Sequence, residues 1–390
     1  MNKKILIVSE YYHPFIKGGA ETTIKAYAEK LVKDGNEVTI LTPNYETNDE
    51  IREKIGGVKV IRFKSLRRLL YKSKKRKDIT KEAYANKKRL FYLFLSFYTV
   101  FSACDMRNAT KRLMKKKHFD EIGGNNLESV LAVAGIKTKS RKVVYLRDFG
   151  LFCHNRGLYQ CDWFCELCGL RNFLSAGDLK GIVKWMFGLT KKLENSQLNK
   201  FNHIVAASEF IRNRTSDITK VKKEDIEIIY DIISPEYIAE VSKEEAREKL
   251  KLPLNKKIFL YLGTLSPLKG AQFIVPLSKR FEEIYFVVVG GGPLKDEISK
   301  NQGQNLRYDG FVETTEIKYY YKSADVLLVP SVWYEPFGRV VAEGFANGCF
   351  VIGSNYGGIG EQIKKSKKGI ATTPTLEGLE NSIENYLKKS

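Results

Sequence analysis

The chain has 390 residues, 43% of them hydrophobic, which is enough for two cores and too much for one compact domain. A formal net charge of +21 points to an anionic partner (nucleic acid, anionic lipid or a phosphorylated substrate), and six cysteines in so long a chain exclude a secreted disulfide scaffold. No uncharged apolar run reaches the ~18 residues of a membrane span, and Met1 to Lys4 leads into a strand-like segment instead of a signal peptide, so a cytoplasmic, soluble or peripheral protein is expected.

Ile5-Leu6-Ile7-Val8-Ser9 is a short continuous apolar run, the pattern of a parallel strand buried on both faces. After a loop with Gly18-Gly19, apolar residues at Ile24, Ala28, Leu31 and Val32 predict a helix over 21–34, stopped by Gly35, and Val38-Thr39-Ile40-Leu41 is the next strand. This βαβ unit predicts a doubly wound first domain. From Arg62 to Tyr92 there are thirteen Lys or Arg against Asp78 and Glu82, followed by an apolar segment from Leu90 to Phe101. That block suits either a core helix beside a solvated face or an interfacial segment docking on anionic lipid.

The cysteines Cys153, Cys161, Cys165 and Cys168 fall in one Cys-rich segment, 150–170. Four thiolates so close together predict a structural zinc or an iron–sulfur centre, with reduced, part-buried thiols as the alternative. A charged stretch from Ser242 to Lys257 reads as helix and turn, and strand-like runs restart at Ile258 to Gly263, Tyr285 to Val289, Val326 to Val329 and Phe350 to Ile352. The expected division is therefore a first domain at 1–235, carrying the basic and aromatic segment 62–101, and a second at 236–370. A final helix within 371–390 is expected to pack back on the first domain.

Chemistry concentrates in the stretch from Pro330 to Gly344. Pro336 and Gly338 permit a tight turn before a helix whose first backbone N–H groups form an anion site. Glu335 stands before that helix and Glu343 about two turns into it, where both can accept hydrogen bonds from sugar and ribose hydroxyls. This stretch resembles the E-x7-E signature of the family-4 retaining glycosyltransferases, and Gly263-Thr264-Leu265-Ser266-Pro267-Leu268-Lys269-Gly270 is similar to that family's G-R-L-x(n)-K-G loop. The glycine-rich strand end Gly290-Gly291-Gly292, the glycine turn Gly357-Gly358-Ile359-Gly360-Glu361 and the N-terminal Gly18-Gly19-Ala20-Glu21 extend the resemblance over nearly the whole chain.

The resemblance implies a GT-B fold, two Rossmann-like doubly wound α/β domains facing a central cleft, and a sugar transfer that retains anomeric configuration. It implies a nucleotide-sugar donor and a glycan, glycolipid or polyprenyl-linked acceptor, with no cofactor required for catalysis. By position, Glu343 would bind ribose, Glu335 the donor sugar, Lys269 the diphosphate, and the backbone at Phe337 and Gly338 the sugar and phosphate. Gly263, Thr264 and Gly290 would line the donor site, and Gly18 and Gly19 would approach the phosphates. Thr264 stands where the family carries an arginine, leaving Arg339 or Lys322 to supply that charge, and Arg147 stands where the family often has a histidine, which makes Asp148 the acceptor-side candidate. Catalytic roles are thus expected for Glu335, Lys269 and Asp148. A GT-B nucleotide-sugar epimerase is the first alternative reading. A basic nucleic-acid-binding protein is the second, although no zinc-finger, RRM or helix-turn-helix signature supports it and no nucleic-acid partner is expected.

Overall fold

The computed structural model describes residues 2–15, 19–65, 88–151 and 196–389, with the side chains of 88–97 left aside. The chain divides into two compact units: Met1–Ala207 with Ile211–Tyr230, and Ser208–Phe210 with Asp231–Ser390.

In the first unit the strands are β1 (Lys4–Val8), β2 (Glu37–Asn44), β3 (Ile51–Ile55), β4 (Val58–Lys64), β5 (Glu121–Gly124), β6 (Arg141–Leu146), β7 (His203–Ala206) and β8 (Ile226–Ile228). They form a sheet of order β3-β4-β2-β1-β5-β6-β7-β8, parallel except for β3, which pairs antiparallel with β4. The helices are α1 (Gly19–Lys33), α2 (Lys88–Lys116), α3 (Leu127–Ala134) and α4 (Glu209–Ile218), the last straddling the division. Helix α1 ends because Gly35 takes a left-handed φ of 89°, which lets the Gly35 and Asn36 N–H groups return to the Val32 and Leu31 carbonyls at 3.0 Å each.

The sheet is buried on both faces, as its continuous apolar strands require. One face packs Ile5, Ile7, Ile40 and Val60 against Ile24 and Ala28 of α1. The other packs Leu6, Val8, Leu41 and Phe63 against Met106 and Ala109 of α2 and Val133 of α3. Strand order reverses between β1 and β5, so the carboxyl ends of those two strands form the crevice where a sheet of this type binds ligands.

The second unit repeats the plan with β9 (Ile258–Leu262), β10 (Tyr285–Val289), β11 (Leu306–Gly310), β12 (Val326–Val329), β13 (Phe350–Ser354) and β14 (Gly369–Thr372) in the order β11-β10-β9-β12-β13-β14. Its helices are α5 (Lys243–Lys249), α6 (Ile274–Arg280), α7 (Lys295–Lys300), α8 (Thr314–Ser323), α9 (Arg339–Ala346), α10 (Gly357–Ser366) and α11 (Leu376–Leu387). Helix α5 begins in a reciprocal cap: the Ser242 hydroxyl accepts from the Glu245 N–H at 3.1 Å, and the Glu245 carboxylate accepts from the Ser242 N–H at 2.7 Å. The final helix α11 places Leu379 and Ile383 in the core of the second unit beside Phe259 and Phe286. Each unit is thus a Rossmann-like α/β layer, and the switch point of the second lies between β9 and β12.

Candidate functional site

In the second unit the chemistry gathers at that switch point. Lys269 closes a short turn after β9 and Glu335 follows β12, so adjacency of the two strands brings together residues 66 positions apart. The Lys269 ammonium donates to Glu335 Oε1, the Ser331 hydroxyl donates to the same oxygen at 3.0 Å, and the Lys269 nitrogen sits 4.9 Å from the Trp333 ring centroid. The ammonium is thereby fixed by an ion pair and a cation–π contact while keeping some exposure. The Tyr261 hydroxyl fastens the loop from below, donating to the Thr264 carbonyl at 2.9 Å. Burial, reinforced by the charge of Glu335, pushes this phenol well up, so it stays a neutral donor.

Close backbone approach explains the glycines. Gly270 has φ 75°, and a Cβ there would lie 2.0 Å from the Pro330 carbonyl oxygen. Gly290 has φ 136°, and a Cβ there would lie 1.9 Å from the Gly263 carbonyl oxygen. No larger residue lets the ends of β9, β10 and β12 converge this tightly.

The turn leading into α9 is held from one side by the start of α10. The Gly358 N–H donates to the Glu335 carbonyl at 2.8 Å, and the Gln362 amide donates to the Phe337 carbonyl. Gly338 caps α9 in the left-handed region, its carbonyl accepting from the Val341 N–H at 3.0 Å, and the positive end of the helix dipole lies at this turn. One turn further, Glu343 is buried, with Oε1 accepting from Arg339 at 2.9 Å and Oε2 accepting from the Tyr321 hydroxyl at 2.7 Å. Burial, then the neighbouring Glu343 charge, raises the Tyr321 phenol far above its usual range. Arg339, a candidate replacement for the charge missing at Thr264, pairs with Glu343 and stacks over the Tyr237 ring at 5.4 Å; Lys322 lies in the last turn of α8.

The structure therefore unites Lys269 with Glu335 on the loops after β9 and β12, and Arg339 with Glu343 one turn apart on α9. Ser331, Trp333, Tyr261, Tyr237 and Tyr321 join them without having been singled out in the sequence. Ser331 and Trp333 were within reach, since both lie beside Glu335 in the chain. Tyr321 was not, because its reach to Glu343 crosses from one helix to another.

In the first unit, Gly19 opens α1, whereas Gly18 lies outside the described residues. Arg147 is buried beside the Tyr27 ring at 5.7 Å, and Asp148 turns one carboxylate oxygen to the Gly150 N–H at 2.7 Å. At the β1/β5 switch point, the Asn126 amide donates to buried Glu10 and to buried Glu128, each at 3.0 Å. These three residues had no motif to announce them; their grouping follows from sheet order. The cysteines Cys153, Cys161, Cys165 and Cys168 lie outside the described residues, as does most of the basic block over 66–87. Among the described residues no group of three or more His, Cys, Asp or Glu side chains could hold a metal ion, and no helix is long and apolar enough to cross a membrane.

The family model described as Glycosyltransferase Family 4 matches residues 17–237, and that described as Glycosyl transferases group 1 matches residues 242–390. The chain belongs to this glycosyltransferase family and has the GT-B fold.

It is 26% identical over 383 residues to an uncharacterized glycosyltransferase of Methanocaldococcus jannaschii, covering 95% of this chain and 85% of that protein. Among solved structures it resembles sucrose-phosphate synthase from Thermosynechococcus elongatus, with a TM-score of 0.71 and 18% identity over 99% of this chain and 90% of that one. It also resembles HepE of Anabaena in complex with UDP-glucose, with a TM-score of 0.62 and 16% identity over 99% of this chain and 91% of that one. At these identities the two structures speak to fold alone.

Proposed function

We propose that this glycosyltransferase takes a sugar from a nucleoside-diphosphate donor, with retention of configuration, and passes it to a glycan, glycolipid or polyprenyl-linked acceptor. The observation that carries the reading is the Lys269–Glu335–Ser331 arrangement at the β9/β12 switch point, next to the start of α9. A diphosphate leaving group gains negative charge as the glycosidic bond breaks. A pre-set ammonium and the positive end of the α9 dipole stabilise that charge without reorganising at the moment of reaction. Glu335 is then the partner for donor-sugar hydroxyls. Glu343 is the partner for ribose, and its position is set by Arg339 and Tyr321.

Asp148 is the proposed acceptor-side carboxylate. The HepE complex with UDP-glucose supports a nucleotide-sugar donor. The net charge of +21 and the cationic block from Arg62 to Tyr92 support work on an anionic membrane surface at the inner face of the cell membrane.

A thermal-shift panel of UDP, GDP, ADP and dTDP with their glucose conjugates tests the reading, because a ligand that binds the folded state raises the melting temperature. One nucleotide series is expected to stabilise the wild type and to leave Lys269→Ala unmoved. Absence of stabilisation across the panel, or equal stabilisation of Lys269→Ala, removes the proposal. Retention is read separately by NMR of the first-formed anomer.

A further inference from the structure

A second concavity lies in the first unit, away from the carboxyl ends of its parallel strands. It encloses about 620 Å³ between the last turn of α2 and the outer strands β2, β4 and β3, near the amino ends of β2 and β4. Pairing registers put Thr39 beside Lys59, Lys59 beside Lys54, and Ile61 beside Arg52. Alternation along a strand then aligns Arg52, Lys54 and Lys59 on the face toward Leu113 and Lys116 of α2 and Lys117 just after it. Five cations thus border one hollow from three separate strands or helices.

Three of the five are ion-paired, and the carboxylate Glu53 also lines the hollow. Lys59 and Lys117 share Glu37, each at 2.6 Å. Hydrogen bonds from Lys117 and then Lys59 lower the Glu37 carboxyl to about 2, so it stays ionised. Glu53 is taken by Arg62, and exposed Arg52 by Glu50. Lys54 and Lys116 have no ion pair among the described residues.

Ordinary structural needs cover only part of this. Lys116 complements the carbonyl end of α2, and charges on β3 protect an edge strand from pairing with another chain. Neither need produces a hollow of ligand size. Nor does either explain Thr39 in its lining, 1% exposed, whose hydroxyl is buried without a hydrogen-bond partner. An orphan hydroxyl costs free energy unless something satisfies it.

We propose that this concavity is a second anion site, taking a phosphoryl group, phosphomonoester or diphosphate, between Arg52, Lys54, Lys59, Lys116 and Lys117, with Thr39 beneath. The site lies near the amino ends of β2 and β4, whereas the ligand crevice lies at the carboxyl ends of β1 and β5, so an occupant here leaves that crevice free. The group comes either from a soluble phosphate ester or from a lipid headgroup, both offering the same oxygens to the same cations.

The test is calorimetric titration of the full chain with inorganic diphosphate at low salt, in wild type, Lys269→Ala, the double variant Lys54→Glu/Lys116→Glu, and Thr39→Val. Binding is expected to persist in Lys269→Ala, to weaken about tenfold or more in the double charge reversal, and to fade with salt. Thr39→Val is expected to weaken binding several-fold while melting no lower than wild type, a combination that a purely structural hydroxyl does not give.

Flotation with phosphatidylcholine vesicles, with and without phosphatidic acid, separates the two sources. Retention on phosphatidic acid that the double variant loses assigns the headgroup, and diphosphate binding without flotation assigns a soluble ester. Loss of the diphosphate signal in Lys269→Ala, or binding indifferent to both Lys54→Glu/Lys116→Glu and Thr39→Val, overturns the proposal.

Discussion

Replacing Gly270 by alanine tests whether close packing of two loops is what builds the Lys269–Glu335 pair. At φ 75° an alanine pays a left-handed penalty of about 1–2 kcal/mol. Its Cβ would start 2.0 Å from the Pro330 carbonyl oxygen, where contacts under 3.0 Å essentially never occur, so the loops after β9 and β12 must separate by at least about 1 Å. Such overpacking costs about 1–3 kcal/mol. The sum, about 2–5 kcal/mol, lowers the melting temperature of a unit of this size by roughly 4–20 °C.

The same separation draws Lys269, the neighbour of Gly270, away from Glu335, so stabilisation by nucleotide should vanish even in the fraction that stays folded. Two matched variants sharpen the result. At Gly303 a Cβ meets nothing within 4 Å and no left-handed φ is required, so Gly303→Ala should melt like wild type. Gly291→Ala is equally free of clashes in the chain itself, so it should melt like wild type yet weaken nucleotide binding, because its methyl group points where the ligand is expected. Scanning calorimetry with and without nucleotide reads all three. A Gly270→Ala melting temperature within about 1 °C of wild type refutes the packing argument.

Lys269→Ala should abolish the nucleotide-induced thermal shift while changing the melting temperature of the unliganded protein little, since a partly exposed pair is worth only about 0–1 kcal/mol. Tyr321→Phe leaves Glu343 Oε2 buried without its 2.7 Å donor and should cost about 2 kcal/mol, read by urea unfolding; an unchanged midpoint would contradict the buried network. Asp325 accepts from Lys243 at 2.8 Å, from buried Arg247 at 2.7 Å and from the Ile258 N–H at 2.8 Å; burial opposes ionisation, but these partners together hold the carboxyl below its usual range. A depressed folded value means the network's stability is complete above the ordinary aspartate range and is lost as pH falls through the lowered value. Asp325→Asn should therefore cost about 3 kcal/mol at pH 7, with a smaller gap from wild type in urea unfolding near pH 3.

Much of this was legible in the chain. The strands at Ile258 to Leu262, Tyr285 to Val289 and Val326 to Val329 are apolar runs that only a sheet buried on both faces requires. Gly35, Gly270 and Gly290 marked places where backbone must turn or nearly touch, and each takes positive φ. The spacing of Glu335 and Glu343 around Gly338 named the helix start. What stayed hidden was reach. β3 is short and its burial pattern is exposed through the middle, so no apolar run announces it, and its pairing with β4 depends on a partner later in the chain.

The sequence by itself determined the two-unit α/β plan, the turn glycines and the chemical types at 269, 335 and 343, because these follow from local periodicity and from which residues a backbone conformation tolerates. The tertiary structure alone decided the partners. Strand order put β9 against β12 and so Lys269 against Glu335, helix packing put the Tyr321 hydroxyl on Glu343, and the β3–β4 pairing lined up the cations around Thr39. Contacts between residues tens of positions apart depend on how whole elements stack, and no local pattern encodes that distance.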